Sequence, residues 1–172
     1  RPSQKAEGIS LFAPETITPE ALTAAELPGY DAVVLANVER LPEAAVATFE
    51  AYVREGGALM VFPGDRIDRA FYRQALYAGG DGLLPCWFGE ASGDPVERKD
   101  ATHLAEDPGD HPFRSLFREQ KVIRLSSPSF YRRVRLEGLT EGAATRVVCR
   151  FADGSPAIIE RQWGRGRVVV VR

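Results

Sequence analysis

The chain has 172 residues, 44% of them hydrophobic and 27% charged, with a formal net charge of −2. That length suits one domain with a sizeable core, because a chain of this size buries roughly two-thirds of its unfolded surface. The near-neutral charge argues against a nucleic-acid partner, which would favour a clearly basic face. Two cysteines, Cys86 and Cys149, are too few and too far apart for a disulfide scaffold or a zinc site, and they leave the redox compartment open.

In chain order, residues 8–13 (GISLFA) read as a short strand bounded by Pro14. Thr18-Pro19-Glu20 has the composition of a helix start, and Leu27-Pro28-Gly29 closes that helix. Residues 31–36 (DAVVLA) form a continuous apolar run of strand length, the pattern of a strand covered by helices on both faces. A helix starts at Pro42, and Ala45, Val46, Phe49, Tyr52 and Val53 repeat at the spacing of one buried stripe, while Glu43, Glu50 and Arg54 fall off it. Gly56-Gly57 predicts a left-handed cap, and residues 58–62 a second buried strand. The unit is β-α-β, so the two strands should be parallel with a right-handed crossover.

Residues 65–77 predict another helix, with Ile67, Ala70, Phe71 and Leu76 inward and Asp65 as its N-cap. Residues 79–110 are rich in Gly, Pro and acidic side chains and predict irregular structure, apart from a strand at 84–88. A helical turn or two is expected at 113–117, then extended segments at 122–125, 131–136, 145–151, 156–162 and 167–171. Asp153-Gly154 and Gly164-Arg165-Gly166 are hairpin turns between the last of these. The predicted fold class is α/β, a three-layer, flavodoxin-like, mostly parallel sheet flanked by helices, with an antiparallel β-rich C-terminal part.

Three stretches resemble the class I glutamine amidotransferase-like superfamily. YDAVVLANVERLP is similar to its apolar strand and loop. FEAYVREGGALMVFPGD is similar to its helix, double glycine and elbow strand. DHPFRSLF, with DGSPAIIERQWGRGRVVVV, is similar to the histidine-proline segment and terminal hairpin of such domains in bacterial membrane proteins and in some β-galactosidases. Active members carry G-x-C-x-G at the elbow and a late histidine and glutamate. Aligning the motif's second glycine with Gly64 places Phe62 at the nucleophile position, and no histidine follows Cys149, after which only Asp153 and Glu160 are acid or base candidates. Nucleophilic catalysis needs a thiolate on a tight turn beside a base and oxyanion donors, and phenylalanine supplies none of that. The resemblance implies no catalytic residues, no cofactor and no metal. It further implies a larger bacterial protein with a membrane anchor and a von Willebrand factor A domain.

Residues 1–172 are thus expected to be a single amidotransferase-like domain excised from a longer chain, since the sequence starts without methionine and stops within a strand-like run. The segment itself contains no apolar run of about 20 residues to enter a bilayer. The leading expectation is a non-catalytic soluble domain of a membrane-anchored protein, serving interaction with another protein or a neighbouring domain. An alternative is a small-molecule site in the crevice near Gly64, using Asn37, Gly64, Asp65 and Arg66; another is a hydrolase using Cys86. Histidine before proline at 111–112 reads as a chain turn, His103 as a surface loop residue, and Ser126, Ser127 and Ser129 around Pro128 as a turn. Arg132, Arg133 and Arg135 read as the solvated edge of a strand.

Overall fold

The computed structural model describes residues 13–22, 27–98, 101–106 and 126–172. The strand expected at 8–13, the helical turn at 113–117, the extended segment at 122–125 and the His111-Pro112 pair lie outside the described residues, apart from Ala13.

The β-α-β unit forms as the hydrophobic pattern requires. Strand β1 (Ala32–Ala36) leads through α1 (Glu43–Glu55) to β2 (Ala58–Phe62), and the two strands pair in parallel from Ala32 opposite Ala58 to Ala36 opposite Phe62. In α1, Ala45, Phe49, Tyr52 and Val53 are buried, the stripe expected from their spacing. Gly56 closes the helix at φ 126°. The N–H of Gly57 donates to Tyr52 O (3.0 Å) and that of Gly56 to Val53 O (3.0 Å), the paired bonds of a Schellman cap.

The mixed five-stranded sheet has the order β1-β2-β7-β6-β5, where β5 is Thr145–Arg150, β6 Pro156–Trp163 and β7 Gly166–Val171. Strands β1, β2 and β7 are parallel, and β7, β6 and β5 are antiparallel in succession. The late part of the chain therefore completes the sheet begun by its first half. A separate antiparallel pair, β3 (Trp87–Ser92) and β4 (Arg133–Glu137), carries a bulge between Phe88 and Ala91. No helix among the described residues is long and apolar enough to cross a membrane.

Three local expectations change. Around Thr18 the described residues form a turn, with Ala21 N–H donating to Thr18 O (3.1 Å), and Leu27–Gly29 is a single 3-10 turn. The helix expected from Asp65 starts later, at α2 (Arg69–Phe71), and runs straight into a π-helical turn at Tyr72–Tyr77. Its N-cap is Asp68, which accepts from Phe71 N–H at 3.1 Å, whereas the Asp65 carboxylate is engaged by Asn37. The strand expected at 84–88 is displaced to β3, because Leu83, Leu84 and Cys86 are consumed in a buried loop ahead of it.

One core unites α1, α2, the π turn and one face of the sheet: Phe49, Val53, Phe71, Tyr72 and Leu76 pack with Leu35, Leu59, Val61, Val168 and Val170. On the opposite face the expectation of a doubly covered β1 gives way. Ala32 and Ala36 are exposed, Val34 is 51% exposed, and Phe62, whose register places it on that same face, is 38% exposed. Successive strand residues point to opposite faces, so this is one contiguous side of β1 and β2.

Candidate functional site

In open α/β sheets the chemistry lies outside the carboxyl ends of the parallel strands. Here those ends are Asn37 after β1, the elbow Phe62-Pro63-Gly64-Asp65 after β2, and Arg172 after β7. Asn37 takes a left-handed conformation (φ 52°), which asparagine tolerates better than most residues. Its N–H donates to Phe62 O (2.9 Å), its Nδ2 to Asp65 Oδ1 (2.9 Å), and its Oδ1 accepts from Arg66 N–H (3.0 Å). A Cβ on Gly64 would be driven into this carboxamide, so only glycine lets the two loops close on each other.

The four residues singled out in the sequence therefore sit together, joined by contacts between the two loops. Asn37 stitches the β1 and β2 loops, and Gly64 leaves room for it. Asp65 is fully exposed; the hydrogen bond from Asn37 is the main reason its carboxyl lies below the usual aspartate value, and the Arg132 and Arg66 cations add to that. Arg66 contributes its backbone N–H, and its side chain lines neither hollow of the adjoining crevice.

That crevice lies between the elbow and the β3–β4 pair. It consists of two adjoining hollows, one of ≈ 320 Å³ and one of ≈ 220 Å³, which share Gly64, Asp65, Ala91, Arg132 and Val134. Arg69 and Glu90 line the larger, and Arg133 and Arg172 the smaller. Sequence reasoning placed Arg132 on a solvated strand edge and overlooked Arg172; nothing local in the sequence shows that β4 folds its approach over the elbow.

The other chemistry-bearing residues are committed elsewhere. Cys86 is fully buried and burial pushes its thiol up to about 12. Cys149 is also buried, its Sγ 3.6 Å from Arg150 O. His103 Nδ1 donates to Pro128 O at 3.1 Å. Ser126 Oγ donates to Glu106 Oε1 at 3.4 Å, within the turn expected there. Glu160 is buried on β6 between Arg146 (2.6 Å) and Arg167 (3.0 Å). Asp153 sits in the β5–β6 turn; hydrogen bonds from Ser155 first, then from Arg133, hold its carboxyl well below the usual range.

No family model matches the chain, and no curated protein sequence matches it. Among solved structures it is similar to the cytoplasmic protein STM1381 from Salmonella typhimurium LT2, with a TM-score of 0.63 and 18% identity over 87% of this chain and 62% of that one. The cytoplasmic protein STM3548 from Salmonella typhimurium gives a TM-score of 0.61 and 14% identity over the same shares. A β-galactosidase from Rahnella sp. R3 gives 0.55 and 20% identity, over 85% of this chain and 20% of that one. The chain thus spans 62% of the length of the two Salmonella proteins. The fold is α/β, with a mixed sheet, and is shared with these proteins.

Proposed function

We propose that the chain is a non-catalytic amidotransferase-like domain that recognises another protein or a neighbouring domain of the same polypeptide. The observation that carries this reading is the open face of β1 and β2, where Val34 is 51% and Phe62 38% exposed. Contiguous exposed apolar surface on a sheet is characteristic of interaction sites. Completing the burial of two such half-covered side chains contributes on the order of 2 kcal/mol, before the rest of the face is counted. Phe62, the residue at the elbow's nucleophile position, belongs to this face, so the position that carries chemistry in active relatives carries apolar contact here. The wider setting, a larger bacterial protein with a membrane anchor and a von Willebrand factor A domain, rests on the motif resemblance alone.

Accessibility of this face separates a docking surface from an ordinary solvated strand. Val34→Cys should react rapidly with a maleimide in the purified domain, with little background from the buried Cys86 and Cys149. In the protein as it occurs in its own cells the same cysteine should be protected at least tenfold. Equal labelling in the two settings would remove the proposal.

The non-catalytic half has its own test. Purified protein incubated with glutamine should release no ammonia above the buffer blank, and Cys86→Ser should leave that result unchanged. A thiol raised to about 12 is essentially all protonated at neutral pH, and the thiolate is the nucleophile. Ammonia release that disappears in Cys86→Ser would make the chain an enzyme.

A further inference from the structure

The crevice beside the elbow has charge that the interaction reading does not use. Of the arginines lining it, Arg133 is paired with Asp153 at 2.7 Å, and Arg69 lies 3.7 Å from Glu90. Two cations remain. Arg132 is exposed, and among the described residues no carboxylate stands within salt-bridge distance of its guanidinium. Arg172 donates from Nη1 to Pro156 O (3.2 Å), but its Nε is buried with no acceptor. Its guanidinium lies 5.5 Å from the centre of the Phe151 ring, which also carries Arg133 at 4.9 Å. Two arginines that line the smaller hollow thus share one aromatic ring; Asp153 pairs with Arg133, and the buried Nε of Arg172 lacks a partner.

Buried polar groups are almost always hydrogen-bonded, and an orphaned charged donor beside a second cation is stabilised by an anion. The position agrees with that: the crevice stands at the carboxyl ends of β2 and β7, where open α/β sheets hold ligands. We propose that this crevice receives a small molecule bearing one oxyanion group, a carboxylate or a phosphate, held between Arg132 and Arg172 above the elbow. Asp65, kept in place by Asn37 and lining both hollows, sets the ligand's polarity. It repels a second anionic group and accepts from a hydroxyl or an ammonium. The ligand is therefore singly anionic at one end and a hydrogen-bond donor at the other. The larger hollow, ≈ 320 Å³, lies at the small end of ligand sites, and the smaller, ≈ 220 Å³, extends it toward Arg172.

The site is independent of the open sheet face, so each can fail without the other. Thermal unfolding of the purified protein should be followed while phosphate or lactate is titrated at constant ionic strength, with chloride as the reference. Saturable stabilisation of about 3–6 °C at ten times Kd is expected from at least one of the two. Phosphate acting alone would identify a phosphoryl group, and lactate acting alone a hydroxy-carboxylate; both outcomes uphold the site. Arg132→Gln should lose most of the shift. Arg165→Gln, in the turn at the opposite end of β7, should keep it. A shift that chloride reproduces, that survives in Arg132→Gln, or that Arg165→Gln loses equally would overturn the proposal.

Discussion

Tyr72→Ala is expected to lower the folding free energy by about 3–5 kcal/mol, the range for deleting a large buried aromatic side chain. Tyr72 heads the largest fully buried side chains. Its ring meets Phe71 edge-on at 5.9 Å and Phe88 at 5.5 Å, so it joins the π turn to β3. Its hydroxyl donates to Val38 O at 2.7 Å, which ties the same side chain to the loop carrying Asn37. Burial pushes the phenol up to about 12, so the donor is present throughout the neutral range. Tyr72→Phe keeps the ring and loses only the bond to Val38, and should cost about 0.5–2 kcal/mol. Denaturant midpoints of the two variants at unchanged m-value measure both terms. Equal losses would mean that the hydroxyl, and not the ring, holds this junction.

Arg161→Ala should cost about 2–4 kcal/mol, because one guanidinium makes two charge-assisted bonds between distant parts of the chain. Nη1 donates to Leu84 O and Nη2 to Gly80 O, each at 2.9 Å, while the group stacks 4.9 Å from the centre of the Trp163 ring. Desolvation lowers its pKa from the ordinary arginine value. The side chain thus pins the loop before β3 onto β6, and with it the wall of the crevice. Arg161→Lys keeps the charge but has no planar fork to reach both carbonyls. It should recover less than half of the loss, as measured by the same denaturant midpoints. Full recovery by lysine would show that charge alone is needed.

The β-α-β unit was legible because its determinants are local. The stripe from Ala45 to Val53 and the double glycine at 56–57 specify a helix and its end without help from the rest of the chain. The hairpin at Asp153-Gly154 was legible for the same reason: Gly154 takes φ 82°, and the Asp153 side chain accepts from Ser155 N–H at 2.9 Å. The helix start was misplaced because Asp65 and Asp68 are equally good caps in sequence. Only the approach of Asn37 from another loop decides between them. The β3 strand was misplaced because an apolar run such as LLPCWF can be a strand or a buried loop. The carbonyls of Gly80 and Leu84 become a loop's when Arg161 arrives to bond them.

The site divides in the same way. Phe62 at the elbow, and no histidine after Cys149, are facts of the sequence, and they led to the reading of a domain without amidotransferase chemistry. Asn37, Gly64 and Asp65 could also be placed in one crevice from the strand ends alone. Tertiary structure decided what each does: Asn37 and Gly64 close the loops, and Asp65 stays exposed beside Arg132. It also decided that one face of β1 is open and that Arg132 and Arg172 line one hollow at the elbow. Periodicity and caps act over a few residues, so a sequence can reveal them. Burial and charge pairing depend on which distant segments pack together, and a strand-edge arginine reads the same until the fold supplies, or withholds, its partner.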